Sequence, residues 1–136
     1  MPKMNVKRLT ILRDYLKTLP KSVYNQDSYG YVNDDGKFMG CGFGHATQIP
    51  EFRKAGLSGG YGRPPIFKGE CCADAMAKFL GIKVAVAEWL SAENYKNPAT
   101  PTEMIKRLDA VIEDRIEPRA NTTDYKIVKK KVLADA

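Results

Sequence analysis

Apolar residues at steps of three and four predict amphipathic helices near both ends of the chain. The first helix, residues 5–19, is expected to bury a leucine stripe and to end before Pro20. The stripe consists of Leu9, Leu12, Leu16 and Leu19. The last helix is predicted over residues 101–117, because Thr100 and Glu103 form a capping box with proline at the first helical position.

Shorter helices are predicted between these two. Pro50 disfavours helix in the residue before it and can begin a helix itself, so it separates two of them. Gly56 and Gly81 are typical C-terminal stops. The predicted ranges are 40–48, 50–56, 70–80 and 82–91. The stretch LSGGYGRPPIFKG is rich in glycine and proline, and it is predicted to be a surface loop.

Residues 21–40 are rich in tyrosine, and they leave two structures open. A turn signal over residues 33–36, between YGYV and KFM, fits a short β-hairpin near residues 29–39. An irregular loop anchored by its aromatic side chains is the alternative. The whole pattern predicts a mainly α protein: a single helical domain of five to six helices over residues 1–118, then a basic C-terminal tail or short terminal element over residues 119–136.

Composition fits a soluble globular domain of ordinary kind. The chain has 136 residues, of which 43% are hydrophobic and 28% charged. Since no apolar run approaches the length of a membrane span and the N-terminal stretch is charged throughout, we expect no membrane partner and a cytoplasmic location. Three cysteines, an odd number, do not predict a disulfide framework.

The net charge of +6 is concentrated at the two ends of the chain. Residues 1–21 carry six Lys or Arg and one Asp, and residues 119–136 carry five Lys or Arg and two Asp. Basic ends can attract nucleic acid or an acidic partner. They can also be ordinary solvated surface, which is the favoured interpretation.

Several short motifs follow one another in a specific order over residues 9–113. After the leucine-rich helix come Cys-x-x-Gly-His-Ala, Ile-Pro-Glu-Phe-Arg-x-x-Gly-Leu, Phe-Leu-Gly-Ile, Ala-Glu-Trp-Leu-x-x-x-x-Tyr and Thr-Pro-x-Glu-Met-Ile-x-Arg-Leu. In this order the chain resembles a group of small bacteriophage and bacterial proteins that carries no established activity. The resemblance implies a helical domain in a phage or mobile-element setting. Relatives often have a further cysteine where this chain has Gly36.

Cys41 and His45 are the first candidates for chemistry. Four residues apart, they would share one face of a helix, and a nearby imidazole can activate a thiol as a nucleophile. His45 is the only histidine, however, and no third group that would orient its ring is evident. Glycines on either side of Cys41 favour close packing instead. A Cys-dependent enzyme therefore remains an alternative to a structural role.

A zinc site is the second chemical hypothesis. Zinc takes four soft ligands, and the chain offers that number in Cys41, His45, Cys71 and Cys72. The ligands of structural zinc sites usually come in pairs two to four residues apart, whereas here two cysteines are adjacent and would point about 100° apart on a helix. We therefore expect no cofactor and keep zinc as an alternative.

An aromatic and basic group of side chains is the predicted binding surface, since tyrosine and arginine are enriched in interface hot spots. It comprises Tyr24, Tyr29, Tyr31, Phe38, Tyr61 and Arg63. Anchoring of loops to the core would also explain these aromatic residues. Together with the phage setting that the resemblance implies, this surface suggests a small soluble accessory protein that binds a host or phage protein, in a host-interaction or inhibitor role. Nucleic-acid binding through the basic first helix and tail is the alternative.

Overall fold

The chain forms a mixture of helices and strands in a computed structural model, which describes residues 4–24, 30–91, 101–119 and 125–129. The α-helices in these ranges are α1 (Val6–Lys17), α2 (Gly42–Ala46), α3 (Pro50–Lys54), α4 (Cys72–Leu80), α5 (Val84–Ser91) and α6 (Pro101–Ile112), and a 3-10 turn covers Lys21–Val23. The strands are β1 (Tyr31–Val32), β2 (Phe38–Met39), β3 (Ser58–Gly60), β4 (Arg63–Phe67), β5 (Glu70–Cys71), β6 (Ile116–Pro118) and β7 (Tyr125–Ile127). The prediction of a mainly helical protein is therefore wrong.

The strands form small antiparallel sheets, which pair β1 with β2, β3 with β4 and β5, and β6 with β7. Each strand is two to five residues long, too short for a clear alternation of apolar and polar residues. Strands β3 and β4 occupy the stretch predicted to be a loop, and β5 takes the first two residues of the helix predicted over residues 70–80. Glycine and proline are depleted in strands generally, which is why the sequence pattern missed β3 and β4.

Strand β4 accommodates two prolines because the pairing around it is irregular. Its register against β3 shifts between Ser58 and Gly60, and it pairs with β5 only from Ile66 onward. Pro64 and Pro65 lie between these points, where their missing N–H groups interrupt little of the ladder. The two-stranded pairing of β1 with β2 means that residues 31–39 form a hairpin.

The helices begin and end where local sequence favours it. The side chain of Asn5 caps α1 by accepting a hydrogen bond from the Arg8 backbone N–H at 3.0 Å. Helix α4 ends at Gly81, whose φ of 68° is the left-handed conformation that glycine adopts without strain. The last helix is shorter than predicted, since it ends at Ile112 and is followed by strand β6. Thr100, half of the predicted capping box, lies outside the described residues.

Helix α4 lies at the centre of the structure, with β4 on one side and α5 on another, while α1 packs along α6. Phe79 of α4 is buried and contacts the rings of Phe52 and Phe67, with centroids 4.8 and 5.0 Å away. The guanidinium of Arg8 lies 4.1 Å from the Phe79 ring and donates to the Phe79 carbonyl oxygen at 2.9 Å. Arg13 joins α1 to α6 through Asp109 at 2.9 Å. One core thus joins the helices to the sheet of β3, β4 and β5, which we call the central sheet.

Two glycines in the β3–β4 hairpin offer a matched pair of substitutions. Gly59 has a φ of 120°, and a Cβ there would overlap the carbonyl oxygen of Pro64, whereas Gly62 has a φ of 86° and open space around it. We expect Gly62→Ala to lower the free energy of unfolding by about 1 kcal/mol, the cost of a left-handed backbone. Gly59→Ala is expected to cost at least twice as much, because rigid backbone must also move. Urea unfolding measures both; equal costs would contradict the close approach of Pro64 to Gly59.

Candidate functional site

Cys41 caps helix α2 instead of lying within it. Its backbone is extended, with φ of −76° and ψ of 178°, and its sulfur accepts a hydrogen bond from the Gly44 N–H at 3.4 Å. The Cys41 carbonyl accepts the backbone N–H of His45 at 2.9 Å. The spacing argument that placed both side chains on one helical face therefore does not apply, because Cys41 precedes the first helical residue.

The environment of Cys41 favours a protonated thiol. The residue is only 4% exposed, and burial raises the pKa of the thiol despite the hydrogen bonds that its sulfur accepts from backbone N–H groups. A cysteine nucleophile reacts as the thiolate, which needs a lowered pKa and access to substrate. Cys41 therefore has a structural role, which is to cap the N-terminus of helix α2.

His45 makes its hydrogen bond away from Cys41. Its Nε2 lies 2.8 Å from the carbonyl oxygen of Val23. Because a carbonyl oxygen only accepts, Nε2 carries the proton in this contact. The same carbonyl accepts the Gly40 N–H at 3.2 Å. Burial lowers the pKa of His45, which is 2% exposed, and the hydrogen bond to Val23 offsets only part of this effect. His45 is thus a neutral, structural residue that ties helix α2 to the 3-10 turn.

Aromatic rings surround the imidazole of His45. Tyr24 stacks on it with a centroid distance of 6.3 Å, and Phe38 meets it edge to face at 5.2 Å. Phe38 in turn contacts the ring of Tyr61 edge to face at 5.5 Å. A continuous series of rings therefore runs from the buried histidine to Tyr61 on the surface.

Tyr61 is exposed, and its hydroxyl is hydrogen-bonded to another segment of the chain. It is 61% exposed, and its φ of 51° lies in the left-handed region that side-chain-bearing residues rarely adopt. Its hydroxyl donates to Oε1 of Gln48 at 3.1 Å. Nε2 of Gln48 donates to Oγ1 of Thr47 at 3.0 Å, and the Thr47 hydroxyl donates to the Gly44 carbonyl at 2.6 Å. These bonds link the exposed ring to helix α2.

The β1–β2 hairpin extends the exposed apolar area beside Tyr61. The N–H of Gly62 donates to the carbonyl of Gly30 at 2.7 Å, which joins the β3–β4 turn to the residue before β1. Tyr31 and Val32 of β1 are 40% and 49% exposed, and Val32 pairs with Phe38. Because neighbouring side chains of a strand point to opposite faces, Val32 shares a face of the hairpin with Phe38, and Tyr31 lies on the other face. We call the area formed by Val32, Phe38 and Tyr61 the aromatic surface.

The predicted binding residues fall in different layers of this region. Tyr31, Tyr61 and Arg63 are exposed, Phe38 is half-buried behind Tyr61, and Tyr24 is half-buried on His45. Tyr29 lies outside the described residues. The prediction omitted Val32, which pairs with Phe38 in the hairpin. It also omitted Gln48, for which the sequence has no signal, since its bond to Tyr61 connects two separate segments.

The four ligands considered for zinc lie in two places. Cys41 and His45 belong to the start and the body of α2, whereas Cys71 ends β5 and Cys72 begins α4. Within residues 4–24, 30–91, 101–119 and 125–129, no group of three or more His, Cys, Asp or Glu side chains is arranged to hold a metal ion. No helix in these ranges has both the length and the apolar character that a membrane span requires.

Comparisons with protein-family models, with curated proteins and with solved structures find no match to this chain.

Proposed function

We propose that the protein acts by binding another protein through the aromatic surface. The observation that carries this proposal is Tyr61, a largely exposed ring that packs edge to face on Phe38 and whose hydroxyl donates to Gln48. Rigid aromatic side chains make strong anchors, because little conformational entropy is lost when a partner covers them. Val32, which pairs with Phe38 in the hairpin, supplies further exposed apolar area.

The resemblance to phage and bacterial proteins motivates the choice of partner, a host or phage protein in the bacterial cytoplasm. Nucleic acid is the less favoured partner, because helix α1 uses part of its basic charge internally. Arg8 binds the carbonyl and ring of Phe79, and Arg13 pairs with Asp14 and Asp109 at 3.1 and 2.9 Å. These arginines are therefore not available as a row of phosphate contacts.

The proposal is tested with substitutions that remove the anchor while leaving the core intact. We expect Tyr61→Ala to weaken binding of a partner captured from a bacterial extract by about 10- to 100-fold, as for an interface hot spot. Tyr61→Phe keeps the ring and loses only the bond to Gln48, so its effect is expected to be smaller. Quantitative mass spectrometry of captured proteins, followed by calorimetry with the purified partner, measures both.

Control substitutions distinguish specific binding at this surface from nonspecific binding to exposed apolar residues. Val6 on α1 and Val84 on α5 are also exposed, at 44% and 39%, and Val6→Ser and Val84→Ser are expected to retain the same partner. If Tyr61→Ala and both controls capture the same proteins as the unaltered chain, the proposal is wrong. Capture that disappears after nuclease treatment and falls steeply with salt would favour nucleic-acid binding instead.

A further inference from the structure

Cys71 and Cys72 are adjacent in the chain, and their sulfur atoms are in contact. Cys71 ends strand β5 and Cys72 begins helix α4. The Cys72 thiol donates to the Cys71 sulfur at 3.3 Å. Neighbouring side chains normally diverge, to opposite faces in a strand or by about 100° around a helix. Contact between these two sulfur atoms therefore requires an unusual backbone.

The backbone of Cys72 supplies this geometry. Its φ of 62° lies in the left-handed region, whereas Cys71 is extended, with φ of −127° and ψ of 164°. Cys71 is also held in register opposite Ile66 in the central sheet. The sheet thus positions the backbone of Cys71, and the left-handed backbone of Cys72 brings the second thiol into contact with the first. The position is accessible, since Cys71 is exposed and Cys72 half-buried.

We propose that Cys71 and Cys72 are a redox-active thiol pair that a low-molecular-weight disulfide oxidises to a vicinal disulfide. The exposed Cys71 loses its proton and attacks one sulfur of the external disulfide, forming a mixed disulfide and releasing one thiol. Cys72 then loses its proton and attacks the Cys71 sulfur, which releases the second thiol. The two cysteines lose two electrons in total, and the external disulfide gains them as it is reduced to two thiols.

The product is expected to be readily reversible. The peptide bond between the residues is trans, since the described chain has no cis bond, and a trans peptide holds neighbouring Cα atoms about 3.8 Å apart. Most disulfides join Cα atoms roughly 4.4–6.8 Å apart, so this ring is strained and easily reduced. The site is independent of the aromatic surface, and either proposal can fail without the other.

The test uses the full chain and oxidised glutathione as the probe. After incubation, remaining thiols are alkylated and the trypsin peptide spanning residues 69–78, which contains both cysteines and excludes Cys41, is analysed by mass spectrometry. We expect this peptide to lose two hydrogen masses and both alkylation sites. A reducing dithiol is expected to restore both sites.

Single-thiol variants distinguish the two steps. Cys72→Ser keeps the attacking thiol, so we expect a stable glutathione adduct on Cys71. Cys71→Ser removes it, so Cys72 is expected to react at least tenfold more slowly than Cys71 does in the other variant. Circular dichroism checks that both variants remain folded. A stable glutathione adduct on the unaltered chain, a disulfide between two chains, or no reaction of this peptide would each overturn the proposal.

Discussion

Replacing Phe79 with alanine is expected to lower the free energy of unfolding by about 3–5 kcal/mol, the usual cost of removing a buried phenylalanine. The ring is 1% exposed and packs edge to face against Phe52 and Phe67. The Arg8 guanidinium, which joins α1 to α4, also packs on the face of this ring. The cavity would therefore open where helix α4, the central sheet and α1 meet. Urea unfolding followed by circular dichroism measures the loss.

Two controls define what this loss means. Phe79→Leu keeps much of the apolar volume and is expected to cost less than half as much. Val6→Ala changes an apolar residue that is 44% exposed, and its effect is expected to lie within about 0.5 kcal/mol. Should Phe79→Ala prove as mild as Val6→Ala, the central position of Phe79 would be refuted.

Acidification is expected to destabilise the protein through its one histidine. The pKa of His45 in the folded state is lowered from 6.5 by burial, so the unfolded chain takes up the proton first. The stability that a neutral His45 contributes is thus complete above the unfolded pKa near 6.5 and is lost as the pH falls toward the folded pKa. One proton corresponds to at most about 1.4 kcal/mol per pH unit.

His45→Gln provides the matched comparison. Glutamine can still donate a hydrogen bond toward the Val23 carbonyl, but it does not titrate. Carboxylates also protonate on acidification, and their effect remains in the variant, so the difference between the two curves isolates His45. Unfolding at several pH values between 7 and 5 is expected to show a steeper loss for the unaltered chain. Parallel curves would mean that His45 is not buried as a neutral ring.

Helices were the predictable part of the fold because their signals are local. Three leucines of the predicted stripe are buried in α1, whereas the fourth, Leu19, lies beyond the end of the helix and is half-buried. The glycine expected to stop the helix over residues 70–80 does so as Gly81. The leucine pattern repeats over several turns, and the glycine stop depends only on its immediate neighbours. Among the strands, only the pair β1 and β2 had a local signal, the turn over residues 33–36 that left a hairpin open. The other strands are short and pair with residues whose spacing the pattern does not encode.

In the candidate site, too, the sequence pattern failed to predict contacts that depend on tertiary packing. Cys41 and His45 were expected to share a helical face, but the helix begins one residue after Cys41. Cys71 and Cys72 were expected to point about 100° apart on a helix, yet the left-handed backbone of Cys72 brings the two sulfur atoms into contact. The bond between Tyr61 and Gln48 joins two segments that no pattern connects. Such contacts depend on tertiary packing, which periodicity alone does not specify.

The ring series that ends at Tyr61 makes the single histidine a built-in spectroscopic probe of the surface. The His45 imidazole lies between Tyr24 and Phe38, so its carbon-bound protons experience the ring currents of both. Phe38 also touches Tyr61, and any ligand that tilts the exposed ring would shift these resonances from within the core. Since no other histidine contributes to that spectral region, occupancy could be followed by proton NMR without labelling any residue.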